Sequence, residues 1–175
     1  MKNFIKSIAL VALVFSAVSC SKDEAKDYGT VSIAKIIEIS PEFSSLKEAL
    51  DITGLTPTFE DAGSYTLFAP NNDAFDAVLG GLTVEEFNTA NPGLLATVLK
   101  YHVVTSKVLS GALSDGQSVT TLQGQTFTVN IAAETGEVTI TDANAGTAYI
   151  TAFDVECTNG VIHPIDAVLL PGGGS

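Results

Sequence analysis

The chain has no tryptophan and no arginine, and its 175 residues include only two cysteines, two histidines and one methionine. Eight lysines face twenty acidic residues, a net charge of −12. Without an arginine or lysine patch to meet phosphates, nucleic acid is excluded as a partner. Electrostatic docking onto anionic lipid is excluded on the same ground. Cys20 and Cys157 are the only thiols, too few for a disulfide framework, so stability must come from an apolar core. Also missing are a Gly-x-Ser-x-Gly elbow, a phosphate loop, a dinucleotide fingerprint and a His-Glu-x-x-His pair.

What is there begins with an address. Lys2 and Lys6 precede an almost unbroken apolar run from Ile8 to Val18, the charged and apolar parts of a secretory signal, and the run is short for a membrane span. Ser16-Ala17-Val18-Ser19-Cys20 follows and resembles the lipobox of bacterial lipoproteins, with Ala17 where leucine is usual. The resemblance implies cleavage after residue 19 and acylation of Cys20. More than one acyl chain anchors a protein stably, whereas one is marginal. Cleavage would leave 156 residues and, with Lys2 and Lys6 removed, a charge of −14. Residues 20–29, charged through Asp27, are expected to be a flexible tether. The expected location is the cell envelope, on the outer membrane and facing outward.

One domain is expected over residues 30–171. Helical spacing at Val31, Ile33, Ala34, Ile36 and Ile37 stops before Pro41, and a second helix through Leu46, Ala49 and Leu50 ends at Gly54. Tyr65 to Ala69 has strand chemistry, and Asn71 or Asn72 can cap a helix carrying Ala74, Phe75, Val78 and Leu79. Thr83-Val84-Glu85-Glu86 is a capping box, with Leu82 and Phe87 as its hydrophobic staple. Asn91-Pro92 suggests a further helix start, and Tyr101-His102-Val103-Val104 reads as a strand. Beyond Ser106 the texture is β: Ser118 to Thr121, Thr126 to Ile131, Glu137 to Thr141, Phe153 to Cys157 and Val161 to Leu170, the last two joined by an Asn159-Gly160 hairpin signal. Helices crowd the first half and strands the second, so the fold class is α+β. Residues 172–175 are expected to be a flexible tail.

Three separated motifs resemble the fasciclin domain family. Thr66-Leu67-Phe68-Ala69-Pro70-Asn71-Asn72-Asp73-Ala74-Phe75 is similar to its first signature, and Tyr101-His102 to its central pair. Asn159-Gly160-Val161-Ile162-His163-Pro164-Ile165-Asp166 is similar to its closing signature. The resemblance implies two β-sheets packed as a wedge with flanking helices, and an adhesive or interaction role without catalysis. The implied partner is a surface or extracellular protein, or else a glycan, with no cofactor and no metal. Pro164 departs from the family pattern and, having no N–H, places its strand at an edge or a bulge.

The same residues allow chemical readings. Asp73 can accept helix N-terminal amides or meet the ring of His102, an arrangement a hydrolase would use. His163 and Asp166 offer a second pairing, although both histidines belong to fold motifs rather than to a metal-ligand spacing. Asp142-x-Asn144-x-Gly146 is a fragment of a calcium loop and reads more simply as a polar turn. Cys157, in a strand-like run, reads as a small buried apolar residue. In adhesive animal members of the family an Asp-aliphatic pair just before the closing signature is implicated in recognition. The matching pair here is Asp154 and Val155, for which the plain alternative is a half-buried strand with Asp154 facing water. On the recognition reading Asp154→Ala weakens partner binding and leaves unfolding unchanged.

Overall fold

A computed structural model describes residues 30–173. The signal, Cys20, the tether to residue 29 and the last two residues of the tail lie outside the described residues.

Local chemistry sets most of the helix ends. Ser32 caps α1 (Ile33–Ile39), and Gly54, at φ 69°, closes α2 (Ser44–Thr53) in the left-handed conformation that glycine adopts without penalty. Asn71 caps α3 (Asn72–Leu79), its side chain accepting from the Ala74 amide. Asn72 reaches across to α2, accepting from the Ser45 amide and donating to the Pro41 carbonyl. Both asparagines therefore satisfy helix starts, each on a different helix. The capping box at Thr83 and Glu86 opens α4 (Val84–Ala90), and Leu82 before it is 45% exposed.

Two expectations fail for identifiable reasons. Asn91 does not start α5 (Leu94–Tyr101); its side chain is spent on the Phe87 carbonyl at the end of α4, and Gly93 at φ 79° takes the capping position. Tyr101 and His102 are not in a strand. Tyr101 ends α5 and His102 caps it, because the Val98 carbonyl one turn back holds the imidazole, so tertiary and capping contacts override strand propensity.

The strands form two four-stranded sheets. The first, in the order β2-β1-β8-β7, contains β2 (Val103–Val104), β1 (Tyr65–Pro70), β8 (Gly160–Ile165) and β7 (Val155–Cys157). Its centre is the parallel pair β1 and β8, in register from Tyr65 opposite Gly160 to Pro70 opposite Ile165. The second is an antiparallel meander of β3 (Gln117–Thr120), β4 (Thr126–Ile131), β5 (Val138–Thr141) and β6 (Thr147–Tyr149). An Ile150–Ile165 bridge joins the end of β6 to β8.

The central strands are buried on both faces, the usual condition of parallel strands. Leu67, Ala69 and Ile162 pack with the helices in one core cluster. Phe68 and Ile165 pack with Tyr101, Phe127, Val129 and Ile140 in the second, between the sheets, where Phe68 and Phe127 meet edge to face at 5.1 Å. Gly160 is required because a Cβ there would lie 2.0 Å from the Tyr65 carbonyl oxygen.

Pro164 sits within β8, which is a central strand, so the expected edge exists only locally. β7 begins at Val155 opposite Ile162, and beside Pro164 the neighbour is Thr151, whose amide donates to the Pro164 carbonyl. The tail expectation also changes at its first residue: Gly172 is held by Gln125 through hydrogen bonds in both directions.

Candidate functional site

The polar residues singled out in the sequence have one feature in common: nearly all of them end on backbone groups. Asn159, 2% exposed, is the centre of one such cluster. Its carboxamide oxygen accepts from the Ile33 amide, the first N–H of α1, at 2.9 Å, and its nitrogen donates to the carbonyls of Phe59 and Asp61 at 2.7 and 3.0 Å. One side chain thus ties α1 and the 3-10 turn Thr56–Phe59 to the β7–β8 turn. Thr66, fully buried, donates to the Ser106 carbonyl and accepts from the Val108 amide.

Both histidines are fully buried and held as neutral rings of opposite tautomer. The Nδ1–H of His102 donates to the Val98 carbonyl at 2.8 Å, and its Nε2 accepts from the Leu169 amide at 2.9 Å. The Nε2–H of His163 donates to the Val108 carbonyl at 2.9 Å, and its Nδ1 accepts from the Asp154 amide at 3.3 Å. Burial pushes His102 down to about 4, and its bond to Val98 and the charge of Asp142 offset this only in part. His163 is lowered for the same leading reason. Tyr101, also fully buried, donates to the Thr126 carbonyl and accepts from the Ala143 amide, fastening α5 to the second sheet; burial raises its pKa.

Two of the acids behave alike. Asp142 spends its carboxylate on the amides of Asn144, Gly146 and Leu170, so the calcium-like fragment is a closed polar turn. Asp166 accepts from the Tyr149 amide at 2.8 Å. Asp73 lies exposed in the first turn of α3, and no hydrogen bond joins it to His102. The pairing a hydrolase would need is therefore not assembled. Among the described residues no group of three or more His, Cys, Asp or Glu side chains is placed to hold a metal ion. Cys157 is a buried free thiol pushed up to about 11 by desolvation, the opposite of a reactive cysteine.

A family model of the fasciclin domain matches residues 41–171. The chain belongs to the fasciclin domain family. Protein sll1483 of Synechocystis is 30% identical over 165 residues, covering 94% of this chain and 87% of that protein. The transforming growth factor-beta-induced protein ig-h3 of Sus scrofa is 36% identical over 144 residues. That match takes in 81% of this chain but only 20% of the pig protein. Among solved structures, a FAS1 domain pair from the insect cell adhesion molecule Fasciclin I matches with a TM-score of 0.65 at 18% identity. It covers 80% of this chain and 51% of that one, and it shows the fold.

In this fasciclin domain the candidate pair Asp154 and Val155 does not have the plain strand setting that the alternation suggests. Asp154 is not a strand residue facing water. It precedes β7 at φ 57°, a left-handed conformation that Asp tolerates better than most residues, and so the strand expected from Phe153 begins only at Val155. Its carboxylate accepts from the amide and hydroxyl of Ser110. Burial alone would raise its pKa, but the Ser110 bonds, with His163 and Lys107 nearby, hold it below the usual carboxylate value. Val155 is half-buried against the helical core cluster. Asp154→Ala is accordingly expected to lower unfolding stability by about 1 to 3 kcal/mol, through the lost bonds to Ser110 and the left-handed backbone left without Asp. Urea unfolding checks this, and a midpoint equal to the parent's would return Asp154 to a purely surface role.

Sequence reasoning identified the signature residues but not what they hold. The partners of Asn159 are about a hundred residues away, and no local spacing reports them.

Proposed function

We propose that the chain is a lipid-anchored adhesion or protein-interaction module of the bacterial outer membrane, displayed outward and without catalytic activity. The observation that carries this reading is the engagement of the signature side chains with backbone partners. Asn159, His102, His163, Thr66 and Tyr101 are consumed in holding the fold, which leaves the surface to bind. Membership of a family that includes an insect cell adhesion molecule supports the adhesive half. The Ser19-Cys20 junction after an apolar signal supports the anchor.

A glycan partner is the second reading. Tyr149 on β6 is 44% exposed and offers an aromatic face on which a sugar can stack, whereas Tyr101 is fully buried.

Cells grown with a fatty-acid probe should label the chain, which should fractionate with membranes. Cys20→Ser should release it folded, with unchanged thermal unfolding. An unlabelled, soluble parent would refute the anchor. Beads coated through Cys20 should be retained by envelope surfaces, and protease treatment of those surfaces should abolish retention. Retention that survives protease and is lost on glycan oxidation would favour the glycan reading.

A further inference from the structure

The second sheet has one buried face and one open face. Val119, Phe127, Val129, Ile140 and Ala148 turn inward to the core between the sheets. Alternation turns the residues between them outward, and strand register sets those in lines. Ser118, Thr128, Thr141 and Thr147 are Cα partners in succession, so one hydroxyl from each of the four strands stands in a row across the sheet. A parallel row runs through Asn130, Thr139 and Tyr149. Thr120 opposite Thr126 completes the face. Neighbours along a row are about 4.8 Å apart and the two rows about 6.7 Å apart, the spacings of any pleated sheet.

Two features set this face apart from an ordinary solvated one. Residues 30–173 hold four lysines and seventeen acids, yet none occupies these positions. The hydroxyls are also free. Thr66 and Tyr101 spend theirs on backbone groups, whereas on this face the only side-chain hydrogen bond among the described residues runs from Asn130 to the Thr141 hydroxyl at 2.9 Å.

Those features select the occupant. An uncharged face rich in donors and acceptors, on a domain whose acidic surroundings repel anions, suits a neutral polyhydroxylated ligand. A protein partner fits it less well, because Ser and Thr are under-represented among the residues that carry protein–protein binding energy. Tyr149, 44% exposed at the end of the second row, adds an aromatic ring for stacking. Adjacent strands are rotated by about 20 to 25°. A single glycan chain follows that twist by turning about its glycosidic bonds, and a flat crystalline surface cannot. In an extended β-1,4-linked chain successive rings repeat at close to the strand spacing.

We propose that this face binds a single neutral β-1,4-linked hexose chain laid across the strands. Ser118, Thr128, Thr141 and Thr147 bond to successive sugars, and a terminal ring stacks on Tyr149. The proposal rests on the glycan reading above and gives it a place and a ligand class.

The test titrates the isotope-labelled full chain with cellohexaose and, separately, with hexagalacturonate. Cellohexaose should give saturable shifts at the amides of Ser118, Thr128, Thr141 and Thr147, unchanged by added salt because no charge takes part. Hexagalacturonate should leave those amides still. Thr128→Val combined with Thr147→Val removes two hydroxyls at nearly constant volume and should weaken cellohexaose binding by about fivefold or more. Tyr149→Ala, at an exposed position, should weaken it as well, and it covers the case in which the valine pair disturbs the sheet. Silent amides, shifts centred elsewhere, an equal response to hexagalacturonate, or binding unaltered in both variants would overturn the assignment. If coated beads are retained through contacts that survive protease and are lost on glycan oxidation while these amides stay silent, the face fails and the glycan reading stands. If the amides respond and bead retention is abolished by protease, the face stands and the glycan reading of adhesion fails.

Discussion

Asn159→Ala is expected to lower unfolding stability by about 3 to 5 kcal/mol, because buried groups left without partners cost roughly 1 to 3 kcal/mol each. The Ile33 amide and the Phe59 carbonyl are the two buried groups that would be orphaned, and the Asp61 carbonyl is a third at the margin. A conservative change separates hydrogen bonding from packing. Asn159→Asp keeps the volume and the acceptor for Ile33 but places an oxygen against two carbonyls, so it should be at least as damaging as alanine. The pair is measured by urea unfolding and by amide exchange at Ile33. A loss below about 1 kcal/mol for both variants would mean that the asparagine fills space and no more.

Stability should also fall steeply in mild acid. His102 titrates at about 4 when folded and near 6.5 when unfolded, and His163 is lowered in the same direction. Between those limits the unfolded chain binds protons that the folded domain refuses. The histidines' contribution is therefore complete above about pH 7 and is lost as pH falls through the window from 6.5 towards 4. For His102 alone the difference corresponds to about 3 kcal/mol. Asp154 acts at lower pH: its carboxylate is held below 3.8, so its stabilisation is present above that value and fades as pH drops past it. Near pH 5.5 unfolding should take up between one and two protons, a slope of about 1 to 3 kcal/mol per pH unit. Urea unfolding from pH 7.5 to 4.5 measures it, and a flat profile would contradict neutral, buried imidazoles.

How much of this was readable from the residues depends on the range of each interaction. The capping box at Thr83, the Asn71 cap, the Gly54 stop and the alternation of Thr126 to Ile131 are local, and the structure has them where their spacing put them. The α+β class follows from the same periodicities joined to the motif resemblance, whereas the parallel pairing of β1 with β8 joins strands far apart in the chain and has no local signal. Tyr101-His102 misled because β-type residues there close a helix whose last turn is fixed by the Val98 carbonyl. Asn91 misled because one side chain can serve the helix behind it instead of the one ahead. Asp154 was placed by alternation, and a left-handed residue breaks alternation without any sign in the sequence, since Asp is common in both settings.

The central claim is that the polar residues of the fasciclin signatures hold the fold and do not perform chemistry. It is tested most directly by nitrogen-resolved NMR of the two imidazoles in the folded chain, followed from pH 8 down to the onset of unfolding. The account predicts two neutral rings of opposite tautomer, protonated at Nδ1 in His102 and at Nε2 in His163, neither titrating near the free-histidine value of about 6.5. A ring that titrates between pH 6 and 7, or that exchanges between tautomers, would be open to solvent and free to move a proton, and that result would contradict the account.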